Sequence, residues 1–243
     1  MDVISAIVQL GTQSKACPAR DTMYPKLEIP HGALELWRQQ AHLKLMETSQ
    51  TPKIGVVGGG LSGRLAALAL SKTERLGSAK ITLFAPAPPS EDSRSTALLD
   101  PSLKFLDDLG VLSALDGKGA DLKTMRLIDG SERILRAPSI DFVAAEAGLD
   151  AFGTNFLNGD LNAAIMAELL KHPNTELREA HVETVRLADG KAYLTSDEQE
   201  LDFDLVIGAD GANSIVRQAC EIGQKQWEYP QVALVTNFTH TRP

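Results

Sequence analysis

Residues 53–70 have the pattern of a buried strand, a glycine turn and a helix that follow one another without a gap. Ile54, Val56 and Val57 are apolar and β-branched, which favours a strand. Leucines then recur through the second half of the segment, as in an apolar helix. A chain with this order of elements is expected to place the strand in a parallel sheet and to cover it with the helix. The segment therefore predicts an α/β fold with a ligand site at the turn.

The turn places glycine at three positions with the spacing of a dinucleotide fingerprint. Gly58 is expected to make the tight turn, Gly60 to let the backbone approach phosphate groups, and Gly63 to let the helix pack closely on the strand. The start of the helix adds free N–H groups and a positive dipole end, which attract an anion. Glycine-rich turns also occur where a strand and a helix only pack together, so the flanking pattern carries part of this interpretation. The predicted pyrophosphate-binding residues are Gly58, Gly60, Leu61, Ser62 and Gly63.

The next apolar segment, Lys80–Phe84, is predicted to be the second parallel strand. A dinucleotide site usually has an acidic residue at the end of this strand, about 20 residues beyond the glycine turn, which binds the ribose hydroxyl groups. Ala85 occupies that position here, and this departure weakens the predicted sugar contact. Glu91 and Asp92 follow a few residues later and are the acidic alternatives.

A second strand-turn-helix pattern covers residues 201–217. Leu205–Ile207 is predicted to be an apolar strand, and the polar turn after it leads into a helix beginning near Ser214. The turn contains Asp210 and Gly211. An Asp-Gly pair is most often a structural turn beside a helix cap, and the residues alone leave that interpretation open.

Charge and composition exclude several classes of protein. The formal net charge is −8, whereas a general nucleic-acid-binding protein presents a basic surface. No apolar run is long enough to span a membrane, and residues 3–10 lack the basic start and the apolar length of a signal peptide. Cys17 and Cys220 lie far apart with no metal-ligand pattern, so we expect free thiols in a reducing compartment and no bound metal. The chain is therefore expected in the cytoplasm, without nucleic acid as a partner.

Three separated motifs occur in a fixed order along the chain: the glycine turn, Arg94 after the second strand, and the turn with Asp210 and Gly211. This combination resembles the flavoprotein aromatic hydroxylases, in which all three motifs meet on FAD. Further segments follow in the order found in the ubiquinone-biosynthesis hydroxylases of the UbiH/UbiF/VisC type, and they lie at 126–130, 135–138, 144–153, 161–164 and 227–237. The resemblance runs from about residue 50 to the last residue, and bacterial polyprenyl-phenol hydroxylases are the most similar members.

The resemblance implies a Rossmann-like FAD-binding domain of the aromatic-hydroxylase type, followed by the beginning of an antiparallel-sheet substrate domain. The expected FAD-binding domain covers residues 46–224 and is interrupted near 120–145 by strands of the substrate domain. Residues 1–45 are expected to be an N-terminal extension, and residues 225–243 the start of a truncated substrate domain. The last predicted strand, at 232–237, precedes the family's second flavin motif. We therefore expect a truncated gene product or a fragment that binds FAD weakly and lacks hydroxylation on its own.

The activity implied by the resemblance is hydroxylation of the ring of a prenylated phenol in ubiquinone biosynthesis, with FAD as cofactor, NAD(P)H as reductant and O2 as oxidant. In the family, the glycines hold the pyrophosphate, and Arg94 lies near the flavin and phosphate region. Asp210 and Gly211 match the motif that helps to bind FAD and couples it to the pyridine nucleotide. A prenylated substrate also implies peripheral association with a membrane or with a ubiquinone-synthesis complex. No catalytic base is predicted, since His172 and His181 lie in polar connecting segments.

Two alternatives stay open. A different FAD oxidoreductase of the same fold, such as a prenyl reductase or an epoxidase, shares the glycine and Asp-Gly motifs but acts on another lipid. A non-catalytic remnant keeps the nucleotide fold as a binding or interaction module. Oxygen-dependent hydroxylation of a phenol distinguishes the first alternative, and bound flavin after purification distinguishes the second.

Overall fold

The computed structural model of the chain describes residues 51–87, 92, 94–129 and 137–227. These residues form two compact units, of which the first comprises 51–87 and 172–225 and the second comprises the remaining described residues. The predicted N-terminal extension and the predicted strand at 232–237 lie outside the described residues. The domain boundaries expected from the sequence stay predictions.

The described residues form many short strands and a few α-helices. In chain order the strands are β1 (Lys53–Val57), β2 (Lys80–Phe84), β3 (Ser95–Leu99), β4 (Ala120–Asp121), β5 (Thr124–Leu127), β6 (Ile140–Val143), β7 (Gly153–Leu157), β8 (Thr175–Arg178), β9 (Thr184–Ala188), β10 (Lys191–Ser196), β11 (Gln199–Phe203) and β12 (Leu205–Gly208). The α-helices are α1 (Leu61–Ser71), α2 (Asp100–Asp108), α3 (Asn158–Leu169) and α4 (Ile215–Ala219). Turns of 3-10 helix lie at Glu74–Leu76, Leu112–Leu115 and Ala144–Ala147.

The first unit is built on a parallel sheet with the strand order β12-β1-β2-β8. Every pairing in this sheet is parallel. Ile54 and Val56 of β1 and Ile81 and Leu83 of β2 are fully buried, because a parallel sheet is covered on both faces. The strands predicted at the glycine turn, at residues 80–84 and before the Asp-Gly turn are confirmed.

Helix α1 connects β1 to β2 and packs against both strands. Its buried residues include Gly63, Ala66, Ala67 and Leu68, which let the helix approach the sheet closely. Within α1, the remaining buried residue is Arg64, which carries a charge. The glycine turn is therefore held between a buried strand and a closely packed helix.

An antiparallel sheet with the order β11-β10-β9 packs against the same core. Two-residue hairpins join its strands at 189–190 and 197–198, where every φ is positive, as in type I′ turns. Its inward-facing residues join a cluster with the ends of β1, β2 and β12, and the members are Val57, Phe84, Ala192, Leu194, Phe203, Val206 and Val216. The rings of Phe84 and Phe203 meet edge to face with centroids 5.8 Å apart. This cluster fixes the carboxyl ends of the parallel strands.

The second unit contains two antiparallel sheets, β3-β7-β4 and the pair β5-β6. Helix α3 follows β7 directly and buries Leu161, Ile165 and Leu169. Helix α2 ends at a left-handed glycine, Gly110, whose φ is +70° and whose N–H donates to the carbonyl oxygen of Asp107. Strands β4, β5 and β6 fall in the 120–145 region in which the resemblance places strands of the substrate domain.

Candidate functional site

A groove opens in the first unit where the parallel strands β1 and β12 end. The register pairs Val57 with Gly208, so the turns that follow these two strands lie side by side although they are far apart in sequence. Ligands of open parallel sheets bind at this edge. The groove has a volume of about 420 Å³. Its lining residues are Val57, Gly58, Gly59, Gly60, Phe84, Pro86, Ala180, His181, Val182, Ala209, Asp210, Gly211, Asn213 and Ile215.

Two of the three fingerprint glycines are required by packing. Gly58 has a φ of +124°, and a Cβ atom on it would overlap the carbonyl oxygen of Ala209. A Cβ atom on Gly63 would overlap the carbonyl oxygen of Gly58. β1, α1 and the turn after β12 therefore approach one another too closely for a side chain at either position. These two glycines are explained by the fold, whatever the groove binds.

Gly60 is different. A Cβ atom on Gly60 would have no heavy atom within 4 Å, and its φ of −72° suits any residue. Contacts within the protein therefore do not explain this glycine. Gly60 lines the groove and is the N-cap residue of α1. We call the open space over Gly60 and the start of α1 the cradle, and a side chain at this position would enter it.

The start of α1 supplies free donors to the cradle. No side chain caps this helix, and its first turn contains no acidic residue. Because the first N–H groups of a helix have no partner inside it, those of Leu61 and Ser62 are left for a ligand or for water. The positive end of the helix dipole lies at the same point. This set of donors suits phosphate oxygens.

Arg64 was not among the residues predicted for the site. Its side chain is only 7% exposed, and its Nε donates a hydrogen bond to the carbonyl oxygen of Gly59 over 2.7 Å. Burial lowers the pKa of its guanidinium. In the part of the chain that the structure describes, Arg64 forms no ion pair. The available sequence signal was a single charged residue among small and apolar residues in the first turns of the helix.

Asp210 is half-buried and lines the groove in the turn that packs beside the glycine turn. Its Oδ2 accepts hydrogen bonds from the N–H groups of Ile215 at 2.7 Å and Val216 at 3.3 Å, and Ser214 adds a second cap to α4. The structural interpretation of the Asp-Gly turn is therefore correct for Oδ2. Oδ1 is buried and has no hydrogen-bond partner among the described residues. An unpaired buried carboxylate oxygen is costly, so a donor on a ligand fits this atom. Gly211 follows with a φ of +84°.

The structure confirms that the end of β2 lacks the acidic residue usual in a dinucleotide site. Ala85 is 2% exposed, and its N–H donates to the carbonyl oxygen of Arg178 at 2.9 Å. Among the residues that line the groove, the acidic side chain is Asp210. His181 is exposed and lines the same groove, although the sequence places it in a polar connecting segment. The loop after β8 therefore contributes a polar group that sequence analysis did not assign to the site.

Arg94 belongs to the second unit. Its Nε and Nη2 donate to the two carboxylate oxygens of Asp92 at 2.8 and 2.9 Å, and Asn158 donates to the same carboxylate at 3.2 Å. These hydrogen bonds, that of Arg94 first, hold the pKa of Asp92 well below its usual range, and the pairing raises the pKa of Arg94. The roles of Arg94 at the flavin and of Asp92 at the ribose stay predictions. Glu91, the other acidic alternative, lies outside the described residues.

The groove carries donors and an acceptor that fit parts of FAD. The uncapped start of α1 suits a pyrophosphate, the cradle admits it, and Oδ1 of Asp210 is an acceptor without a partner. Among the described residues there is no group of three or more His, Cys, Asp or Glu side chains arranged to hold a metal ion. The helices in the described ranges are all too short or too polar to cross a membrane.

The sequence matches a family model described as FAD binding domain over residues 51–241. It is similar to the ubiquinone hydroxylase UbiL of Rhodospirillum rubrum, with 30% identity over 194 residues, and to the 3-demethoxyubiquinol 3-hydroxylase of Escherichia coli, with 32% identity over 200 residues. Each alignment covers 77% of this chain, but 43% of the first relative and 48% of the second. The chain therefore spans less than half the length of these relatives.

Solved structures show the same fold at lower identity. The flavin-dependent monooxygenase PieE, solved with FAD and substrate, gives a TM-score of 0.58 at 18% identity over 70% of this chain and 32% of that chain. The 2-methyl-3-hydroxypyridine-5-carboxylic acid oxygenase gives a TM-score of 0.57 at 20% identity over 74% of this chain and 44% of that chain. The predicted fold class and the resemblance to ubiquinone hydroxylases are confirmed. Because the family model matches most of the sequence, this chain belongs to the FAD binding domain family of flavoprotein monooxygenases and is a relative of the ubiquinone hydroxylases.

Proposed function

We propose that this chain is the FAD-binding part of a monooxygenase that hydroxylates the ring of a prenylated phenol in ubiquinone biosynthesis, with NAD(P)H as reductant. The observation that carries the proposal is the cradle, an open space over Gly60 at an uncapped helix start. The name of the relative from Escherichia coli, a 3-demethoxyubiquinol 3-hydroxylase, supports the substrate class. We further propose that the protein acts in the cytoplasm, in peripheral contact with a membrane or with a ubiquinone-synthesis complex.

FAD, when bound, supplies the redox chemistry of the reaction. In this proposal the N–H groups of Leu61 and Ser62 bind the pyrophosphate, and Gly60 provides the space for its approach. Oδ1 of Asp210 accepts a hydrogen bond from the cofactor, while Oδ2 keeps the turn in place through α4. Arg94 acts near the flavin and phosphate region, and Gly211 lets the chain turn at the groove. The proposal assigns no side chain as catalytic base.

The proposed reaction has a defined balance. One oxygen atom of O2 is inserted into a C–H bond of the phenol ring to give a hydroxyl group, and the other leaves as water, while NAD(P)H supplies two electrons and one proton, and a second proton comes from solvent. A prenyl reductase transfers electrons to the lipid without oxygen insertion. An epoxidase inserts oxygen into the chain rather than into the ring. The position and origin of the new oxygen atom therefore distinguish these reactions.

The test measures cofactor binding and product formation separately. Purified protein is titrated with FAD, and bound flavin is quantified from its visible spectrum. NAD(P)H oxidation is then followed with a prenylated phenol under ¹⁸O2 in the completed gene product, the monooxygenase of which this chain is proposed to be the FAD-binding part, and the product is analysed by mass spectrometry. The proposal predicts saturable FAD binding by this chain and, from the completed gene product, one ¹⁸O atom in a new hydroxyl group on the ring. Absence of FAD binding would support the non-catalytic remnant, and bound FAD with a reduced or epoxidised prenyl chain would support the alternative oxidoreductase.

A further inference from the structure

Arg64 stands out because its charge is placed where the protein itself does not stabilise it. Arg64 as a whole residue is only 7% exposed, and the partial desolvation of a cation without an ionic partner is costly. It lies in the second turn of α1, close to the positive end of the helix dipole, which adds repulsion. The first turn of α1 has no acidic residue, and Arg64 forms no ion pair with any described residue. An anion bound at the start of α1 would offset all of these costs.

Among the described residues, Arg64 makes one side-chain hydrogen bond, which also orients the glycine turn. Its Nε–H donates to the carbonyl oxygen of Gly59 at 2.7 Å. In a planar trans peptide the C=O and the following N–H point in opposite directions. Fixing the Gly59 carbonyl toward Arg64 therefore turns the N–H of Gly60 the other way. Gly60 lines the groove, so this N–H joins the donors of the cradle.

We propose that Arg64 is a positioning residue for the pyrophosphate of FAD. Its hydrogen bond holds the Gly59–Gly60 peptide in the orientation that binds phosphate, and its buried charge stabilises the bound anion. This inference rests on the proposed function, because it assumes that the groove binds FAD. Its consequence is a trade-off: the charge lowers the stability of the protein without ligand and raises the affinity for the ligand.

The test compares the full chain with Arg64→Met, Arg64→Gln and Arg64→Lys. The control is Arg186→Met, which removes one positive charge from an exposed side chain that pairs with Glu200 in the same unit. Melting temperatures are measured without ligand, and dissociation constants are measured for FAD and for ADP, which contains the same pyrophosphate. For Arg64→Met we expect an unchanged or higher melting temperature, and an affinity about 10- to 100-fold weaker for both ligands. Arg186→Met is expected to bind both ligands as the wild type does.

The Gln and Lys variants separate the charge from the hydrogen bond. Gln keeps an N–H donor without the charge, and Lys keeps the charge on a different donor, so the proposal predicts stronger binding by Lys than by Gln. The role of the charge would be overturned if Arg64→Gln bound FAD and ADP with the wild-type dissociation constants, or if the constants of Arg64→Met lay within about threefold of wild type. A melting temperature that falls in Arg64→Met together with affinity, with both restored by Gln, would reduce Arg64 to a structural residue. Wild-type protein that binds neither FAD nor ADP would instead refute the proposed function.

Discussion

Gly60→Val tests the cradle directly, because this glycine is not needed for packing. A Cβ atom there meets no heavy atom within 4 Å, so the added side chain does not strain the protein without ligand. Val is a poorer N-cap residue than Gly by about 1 kcal/mol, which lowers the melting temperature of a chain of this length by about 2–4 °C. The fold is therefore expected to survive the substitution.

The cost to FAD binding is expected to be much larger. The valine methyl groups would occupy the space through which the pyrophosphate reaches the first N–H groups of α1. Losing two hydrogen bonds to a charged group, each worth about 1.5–3 kcal/mol, amounts to about 3–6 kcal/mol. This corresponds to a dissociation constant about 10² to 10⁴ times that of the wild type. Differential scanning fluorimetry without ligand and flavin fluorescence titration measure the two quantities separately.

Substitutions at two other glycines serve as controls for this experiment. Gly159→Val, near the start of α3, also places its Cβ in open space and should leave both melting and FAD binding near the wild-type values. Gly58→Val forces a side chain against the Ala209 carbonyl at a positive φ and should unfold the first unit. Wild-type FAD affinity in Gly60→Val would refute the placement of the pyrophosphate. Unfolding of Gly60→Val to the extent of Gly58→Val would refute the claim of open space.

Other substitutions test the remaining parts of the unit. Asp210→Asn keeps an oxygen that can cap Ile215 but removes the charge, so we expect a nearly unchanged melting temperature and slower flavin reduction by NAD(P)H, whereas Asp210→Ala should lower both. His181→Ala removes one exposed polar contact of the groove and should weaken FAD binding about fivefold, measured by the same titration. Asp202 accepts hydrogen bonds from Lys191 and Lys53, which lower its pKa to about 2. Its charge therefore adds stability above the unfolded-state value of about 4, and this stability is lost as the pH falls through about 2. In urea unfolding, the free energy of unfolding of Asp202→Asn should be lower than that of wild type at pH 7, and the two values should converge as the pH falls to about 2. A difference in unfolding free energy that does not change with pH would contradict the assignment.

The strands at the site were predictable because their signals are local. β1, β2 and β12 are short apolar runs bounded by turn residues, and the strands have nearly the predicted bounds. The helix after the Asp-Gly turn begins next to Ser214, as its capping ability predicts. The missing acid at Ala85 was also visible, because the fingerprint specifies that position by its distance from the glycine turn.

The other features depend on contacts that no local pattern encodes. His181 reaches the groove because β8 lies beside β2, and the sequence separates these strands by about 90 residues. Asp210 uses one oxygen for α4 and leaves the other unpaired, which depends on how the turn closes. The burial of Arg64 depends on the approach of α1 to the sheet and on the direction of the Gly59 carbonyl. Spacing alone therefore identified the turn but not the division of roles within it.

The different roles of the residues at the glycine turn help to decide whether this turn binds a ligand or only allows β1 and α1 to pack. Packing accounts for Gly58 and Gly63, so the presence of those two glycines does not distinguish the two explanations. A turn shaped only for stability would have Ser, Asp or Asn as the N-cap residue instead of Gly60, and no partly desolvated cation such as Arg64, which has no ionic partner among the described residues. It would also leave no buried carboxylate oxygen without a partner, whereas Oδ1 of Asp210 in the adjacent turn has none among the described residues. Each departure reduces the stability of the protein without ligand, and all three lie at or beside one groove. Because real sequences depart from local stability mainly where function requires it, their coincidence favours a ligand that supplies the missing anion and the missing donor.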